Sequence, residues 1–374
     1  MNSVTINIAG DFMPSGLLFN HNERYCTEEV IQKFSDADFR IANLEAAIGT
    51  YKSNPTFDEE KMKRLQDIVW AIDDDLVKLT HFKIDAVSLA NNHIFDLGAE
   101  GLKYTINKLD EMGILHFGAG INYEEARKPA VLQKGSTKIA LIGFCDYRDE
   151  TVGYVPFATS NKPGINPLYP LDQSCAYIRE LKQKYDFVLV FPHWGIEHQW
   201  YATHDVLNDS RELINAGADA ILGSHPHRIQ TPFYYRNKPV FPSLGNFLFP
   251  DWIINKPRPT WYPTFNTEIQ NYPRRELYPW VEEPTILVWK NDNRIGMVAN
   301  LNISKGGIRK SNWLVYLDKN NILHYLKNIG DQLSIKYTAV LKITGFLYRF
   351  PLLYKLERYI HLNINRVRHF LKKK

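Results

Sequence analysis

An α/β fold, with a mixed sheet or two packed sheets and helices outside, is what this sequence predicts, on three observations. Through residue 223, short apolar strands alternate with amphipathic helical stretches, the order expected of parallel strands joined by helical crossovers. Five of those strands run straight into Asp, Glu, Asn or His, and ligands of open α/β sheets bind at the carboxyl ends of strands. Later in the chain the alternation stops, and strand pairs bracket the polar turns Arg236-Asn237-Lys238 and Asn291–Arg294, so antiparallel hairpins are expected there.

In order, Val4–Gly10 reads as a strand from its β-branched content, and it ends at Asp11. Thr27–Phe34 is an expected helix with Thr27 at its N-terminus. Phe39–Ala42 is a second strand, ending at Asn43-Leu44-Glu45, and the charged stretch Lys52–Asp67 suits a surface loop and helix. Asp73–Phe82 opens on three acids that favour the positive end of a helix dipole.

The stretch that organises the rest is Ala86–Gly98, where a small apolar strand enters Asn91-Asn92-His93, followed by Asp96. Ala99–Met112 is then a helix with Leu102, Ile106, Leu109 and Met112 on one face. Strands follow at Leu115–Gly120 and Ile139–Phe144, and a helix at Gln173–Lys184. Phe187–Phe191 is a strand ending at Pro192-His193-Trp194-Gly195. Asp205–Ala216 is a helix, and strand Ala220–Gly223 ends at Ser224-His225-Pro226-His227. The expected hairpins are Thr231–Tyr235 with Val240–Phe249, and Ile286–Lys290 with Met297–Ile303. Between them, Asp251–Glu283 is rich in Pro, Trp and Tyr and carries Lys256, Arg258, Arg274 and Arg275. Long loops of this kind are often functional. The expectation is a lid whose cations meet an anionic substrate, the alternative being an aromatic flap packed on the sheet.

Composition narrows the class. At 374 residues, with 44% hydrophobic and 23% charged side chains, this is an ordinary globular chain able to bury a large core. No run approaches the ~20 apolar residues of a membrane span, and the start reads directly into a strand, without a signal-peptide pattern. Cys26, Cys145 and Cys175 have no metal-type spacing and fit a reducing compartment, so a cytoplasmic location is expected. The net charge of +4 conceals an asymmetry: Lys336–Lys374 holds ten Lys/Arg and one acid, Glu357, leaving residues 1–335 at −5. A basic tail interleaved with Leu and Phe suits peripheral contact with anionic lipid at the inner face of the membrane, or packing on the body or a partner. No nucleic-acid motif accompanies the charge. The expected division is a body, 1–320, with a lid insertion at 251–283, and a basic extension, 321–374.

Asp11, Glu45, Asn92-His93, His193, and His225 with His227 are ligand types that Mg, Mn, Zn or Fe accept. One histidine after a strand is usually structural; five strand ends together point to a shared metal site. His225 and His227 flank a proline, so their rings can diverge to two ions. Two ions about 4 Å apart would clamp both oxygens of a displacement. Glu45 is the natural bridge, because a carboxylate has two oxygens to share. His93 is placed to act as acid or electrostatic stabiliser, and Asp96 either orients its ring or caps the next helix.

The motifs GDFM (Gly10–Met13), NLE (Asn43–Glu45), NNHIFDLG (Asn91–Gly98), HWGIE (His193–Glu197), GSHPH (Gly223–His227) and SLGNF (Ser243–Phe247) resemble the bacterial capsule-synthesis CapA family. That family is linked to poly-γ-glutamate synthesis and related to calcineurin-like metallophosphoesterases. The resemblance covers about residues 1–305. It implies a four-layer α/β/β/α fold with two metal ions between the sheets. Asp11 and His227 would hold one ion, Asn92, His193 and His225 the other, and Glu45 would bridge them. Two positions depart from the metallophosphoesterase pattern: Met13 stands where a ligand His is usual, and Glu45 where the bridge is Asp. Glu197 and Trp194 belong to the CapA pattern and would serve its own substrate, unless Trp194 only packs the wall. Asn246 would line the cleft or stabilise a turn.

The implied function is metal-dependent hydrolysis or transfer, at an amide or phosphoester, in production of an anionic polymer, with synthase subunits as partners. The alternatives are a phosphoesterase for small organophosphates and a non-catalytic, metal-stabilised subunit of a membrane-bound synthase.

Overall fold

Alternation along the strands decides the layering. In strand Thr137–Cys145, Ile139 and Leu141 enter one core while Ala140, Ile142 and Phe144 enter another. Phe187–His193 repeats this, with Leu189 and Phe191 on one side and Val188 and Val190 on the other. A strand apolar on both faces must be covered twice. The computed structural model, which describes residues 3–17, 25–49, 69–146, 155–254, 272–276, 283–327 and 335–348, provides both covers.

Among the described residues there are two principal sheets. The larger has eight strands, in the order Leu323–Leu326, Gly307–Leu317, Ile295–Ser304, Val4–Phe12, Phe39–Leu44, Ala86–Ser88 and Leu115–Phe117, with Asn246–Leu248 also paired to Val4–Phe12. The second runs Phe233–Tyr235, Lys238–Phe241, Ala220–Leu222, Phe187–His193, Thr137–Cys145 and Ala130–Lys134. Between them, Ile6, Ile8, Ile41 and Leu301 meet Ile139, Leu141, Leu189 and Phe241. The far face of the larger sheet packs Phe12, Leu44 and Val87 on helices Glu28–Ser35 and Gly98–Glu111, through Phe34, Leu102 and Leu109. The far face of the second packs Val188, Val190 and Ile221 on Leu171–Lys184 and His204–Ala216, through Ile178, Leu181 and Leu213. The expected α/β class holds, with parallel strands early and antiparallel ones late.

The first expected hairpin forms in part: Phe233–Tyr235 and Lys238–Phe241 are antiparallel around Arg236 and Asn237, both at positive φ (48° and 59°), the geometry of a type I′ turn. Its second strand ends at Phe241, however, and Asn246–Leu248 of the expected Val240–Phe249 pairs with Val4–Phe12 in the other sheet. The second hairpin does not form. Thr285–Val288 pairs instead with Trp252–Ile254 and Arg274–Glu276 in a three-stranded flap, while Ile295–Ser304 joins the larger sheet. The cause lies in the turn. Arg294 donates to Trp289 O (3.1 Å), Asp318 O (2.8 Å) and Asp251 Oδ2 (2.6 Å), which leads the chain from one sheet to the other. Leu115–Gly120 also splits at Gly118 (φ 92°), and Ala119–Gly120 pairs with Gly164–Ile165.

Trp252 of the flap is buried, its ring 4.8 Å from Trp289 and 5.9 Å from Phe249. Residues 255–271 and 277–282 of the expected lid lie outside the described residues, as do Lys52–Asp67 and residues 349–374 of the basic tail. The larger sheet continues to Leu326, beyond residue 320. After it, helix Ile335–Leu347 and Tyr348 return to the body. Thr231 Oγ1 donates to Leu341 O (2.6 Å), and Tyr348 OH accepts from Ala202 N (2.7 Å). No helix among the described residues is long and apolar enough to cross a membrane.

One contact sets the position of everything that follows. The pairing of Val4–Phe12 with Phe39–Leu44 shifts register between Ile8 and Asp11, and irregularities of this kind re-aim side chains. Asp11 N donates to Gly245 O (3.0 Å). A Cβ on Gly10 would lie 2.0 Å from that same oxygen. Gly10→Ala should therefore cost about 3 kcal/mol of stability, read as a lowered urea midpoint; an unchanged midpoint would contradict this packing.

Candidate metal centre

Five strand ends from both sheets converge. Asp11 closes Val4–Phe12, Glu45 follows Phe39–Leu44, Asn92 follows Ala86–Ser88, His193 ends its strand, and His225 and His227 follow Ala220–Leu222. Asn246 enters from the strand paired with Asp11. All seven are buried. His227 Nδ1 lies 3.3 Å from Asp11 Oδ2, and its Nε2 lies 3.5 Å from Glu45 Oε1. That same Glu45 oxygen is 3.9 Å from His193 Nε2, which is 2.7 Å from Asn92 Oδ1. The His225 ring is 4.7 Å from that of His193 and 6.3 Å from that of His227. The six ligand-type residues singled out in the sequence are thus brought together.

The turn that carries two of them is held in an uncommon conformation. His225 and His227 have φ of 94° and 52°, which costs energy for residues other than glycine and persists only where the surroundings fix it. Here His198 N donates to Pro226 O (2.9 Å) and Asn293 Nδ2 to His227 O (3.0 Å). With Pro226 between them, the two rings are tilted by 51° with centroids 6.3 Å apart.

Amides fix the back of the cluster. Asn43 Nδ2 donates to Asp11 Oδ1 (2.9 Å) and Glu45 Oε2 (3.3 Å), and Asn91 Nδ2 donates to Asn43 Oδ1 (3.2 Å) and Leu44 O (2.8 Å). The front oxygens, Asp11 Oδ2 and Glu45 Oε1, accept no hydrogen bond although they are buried. Buried acceptors are nearly always satisfied, so this pair demands an explanation. Burial, then the charge of Asp11, raises the Glu45 carboxyl well above its usual range. Burial holds His193 well below its usual value and His225 down to about 4, so both rings are neutral at pH 7. Burial opposes protonation of His227 too, but the Asp11 carboxylate 3.3 Å from its Nδ1 raises it overall. Asp11, Glu45 and His227 place one ligand atom each within 4.8 Å of one another. Orphaned carboxylate oxygens beside neutral imidazoles fit a divalent cation.

His93 borders this group. Its Nδ1 lies 2.7 Å from Asp96 Oδ2 and its Nε2 3.1 Å from Asn92 Nδ2. Asp96 Oδ2 also accepts from Val69 N (2.7 Å), while helix Gly98–Glu111 has no side-chain cap. Asp96 therefore orients the His93 ring rather than capping the helix. Glu197 sits half-buried 4.0 Å from His198 Nε2; burial raises its carboxyl, but His225, His227 and His198 bring it below the usual range overall. Trp194 is buried and donates to Pro242 O (2.9 Å), so it packs the wall.

The sequence left several residues of the site without a role. Asn43 and Asn91 sit inside motifs quoted for their neighbours, and amides beside ligand carboxylates were the available signal. Asn246, expected to line the cleft or stabilise a turn, lies in the cleft, its Oδ1 2.9 Å from His227 Nδ1. Asn293 and His198 carried no signal, since the turn holding Asn293 reads as a hairpin loop.

Residues 5–251 match the family model for the bacterial capsule synthesis protein PGA_cap. The PGA biosynthesis protein CapA of Bacillus subtilis (strain 168) is 28% identical over 248 residues, 66% of this chain and 63% of that protein. The capsule biosynthesis protein CapA of Bacillus anthracis is 29% identical over 252 residues, 66% of this chain and 60% of that protein. A probable polyglutamine synthesis accessory protein of Mycobacterium tuberculosis is 28% identical over 179 residues, 46% of this chain and 47% of that one. The chain thus spans less than two thirds of the length of these relatives. Every converging strand end described above lies within the matched segment, and the chain belongs to the bacterial capsule-synthesis family PGA_cap.

Proposed function

We propose that this chain is a metal-dependent hydrolase or transferase acting at an amide or phosphoester in production of an anionic capsule polymer of the poly-γ-glutamate type. The observation that carries this reading is the pair of buried oxygens, Asp11 Oδ2 and Glu45 Oε1, that accept no hydrogen bond beside His227 and His193. Asp11 and His227 would hold one divalent ion, Asn92, His193 and His225 a second, and Glu45 would be shared between them. Its Oε1 lies within 4 Å of an imidazole nitrogen from each set. Mn, Fe, Zn and Mg all accept such oxygen and nitrogen donors. Bound ions would supply Lewis acidity and lower the pKa of water.

The chain's own groups have defined tasks in this reading. Asn246 Nδ2 donates to Asn293 O (3.0 Å), so its Oδ1 is the acceptor facing His227. The His227 proton is then on Nδ1, and the Nε2 lone pair faces Glu45. Such outer partners fix the tautomer and orientation of ligand histidines. Asn92 Nδ2 donates to His93 Nε2, which leaves the Nδ1 proton on Asp96; His93 would exchange a proton with a reacting oxygen or nitrogen beside Asn92. Glu197 would set the charge at the rim. Met13, buried where phosphoesterases carry a ligand His, argues against general phosphatase activity. The relative named as a synthesis accessory protein supports a second reading, a metal-holding subunit that positions a synthase.

Asn246→Ala should weaken metal binding about 10- to 100-fold with little change in melting temperature, measured by Mn titration calorimetry beside thermal unfolding. Undiminished affinity would remove Asn246 from the site. Burial and the Asp11 charge raise the Glu45 carboxyl well above its usual range, and any proton it holds must leave for it to bind a cation. Acid therefore competes with metal, affinity rises with pH, and binding releases about one proton from Glu45. Calorimetry in buffers of different ionisation enthalpy reads that release, which Glu45→Gln should abolish along with most of the affinity. Full affinity in that variant would refute the assignment.

A further inference from the structure

A cation satisfies orphaned acceptors, but it cannot satisfy an orphaned donor. Trp289 is 6% exposed, and its indole Nε1–H, a donor only, meets no acceptor. Buried indole N–H groups usually find one, as Trp194 does at Pro242 O (2.9 Å). The Trp289 ring lies against the candidate centre, 5.2 Å from the ring of His227 and 5.3 Å from that of Phe249. Its backbone is fixed there. The N–H donates to Asp251 Oδ1 (2.9 Å) and the carbonyl accepts from Arg294 Nε (3.1 Å), two side chains that form a buried ion pair.

Register places a charge on the same face. In the three-stranded flap, Leu287 is paired with Trp252 on one side and with Arg275 on the other. Paired residues of neighbouring strands share a face. Trp252, Leu287 and Trp289 all join the core that contains Phe249, whereas the alternate residues Ile253 and Ile286 pack with Leu17. Arg275 therefore stands on the Trp289 side, on the edge strand farthest from Trp252–Ile254. It is exposed and forms no ion pair among the described residues.

The face that borders His227 thus offers a buried neutral donor and, toward its edge, an exposed cation. A cation bound among Asp11, Glu45 and the histidines would leave both without a partner; an anionic oxygen beside it would not.

We propose that this face of the flap binds the anionic part of the substrate. Trp289 Nε1–H donates to a carboxylate or phosphoryl oxygen of the group held at the centre, and Arg275 pairs with the next anionic group along an extended polyanion. This rests on the metal-centre reading above.

The test is the indole N–H magnetic resonance spectrum of the 15N-labelled full chain, loaded with diamagnetic Zn and titrated with inorganic phosphate, glutarate and a γ-linked glutamate trimer. Zn content is measured on each sample. Trp289→Phe keeps an aromatic ring, removes the donor and identifies the Trp289 peak. That peak should move downfield as the preferred anion saturates the chain. Trp289→Phe should bind that anion roughly 10- to 100-fold more weakly, the loss expected for a hydrogen bond to a charged group. The tighter of phosphate and glutarate identifies the oxygen as phosphoryl or carboxylate. Arg275→Gln should weaken the trimer about 2- to 5-fold, as for an exposed ion pair, and leave glutarate unchanged. A trimer bound equally well by Arg275→Gln and wild type removes Arg275 from the surface. Anions that bind the Zn-loaded wild type without moving any of the eight tryptophan indole peaks overturn the inference alone, whether or not Trp289→Phe folds, as does a Zn-loaded wild type that binds none of the three. A wild type that holds no Zn overturns the metal-centre reading and this inference with it.

Discussion

Asp11 and Glu45 are buried side by side from neighbouring strands, and each has one oxygen that accepts no hydrogen bond. Two buried carboxyls at close range cannot both remain charged without a cation; one must keep its proton. Much of the local structure can be understood as enforcing that conflict. Asn43 occupies the rear oxygens of both acids, Asn91 holds Asn43, and the missing side chain at Gly10 lets the first strand close on Gly245. The histidines face the same point and are kept neutral by burial or partnered to Asp11.

The two-sheet architecture explains why this is affordable in stability. The strands between the helical layers are apolar on both faces, so a large core surrounds a small polar end. Ligand-type residues occur where the strands stop, where side chains no longer have to alternate between two cores. Strain is concentrated at the same place, in the left-handed His198, His225 and His227. The flap and its neighbours add an aromatic side: Phe249, Trp252 and Trp289 pack on one another, and His227 meets Phe249 edge-on (79°) and Trp289 at a tilt (45°).

Strand ends were legible in the sequence because β-branched runs that stop abruptly at Asp, Glu or His leave a pattern that neither helices nor loops produce. Parallel order was legible from the intervening amphipathic helices. The second hairpin was not, because a short polar turn between two apolar runs looks the same whether the strands pair with each other or separate; Arg294 and its bond to Asp251 decide it, and that contact joins residues 43 apart in sequence. Gly307–Leu317 escaped for another reason, since its exposed face is polar and carries no continuous apolar run. The supporting amides were hidden because Asn43, Asn91 and Asn293 act through geometry, which spacing does not encode.

The proposed centre depends on Glu45 joining two sets of ligands. Electron paramagnetic resonance of the Mn-reconstituted chain, with Mn content by mass spectrometry on the same sample, tests it most directly. About two Mn ions per chain with an exchange-coupled spectrum, as expected of ions roughly 3.5–4 Å apart, is the predicted result. A chain that retains no Mn, or a single ion with the resolved hyperfine spectrum of an isolated centre, would contradict it.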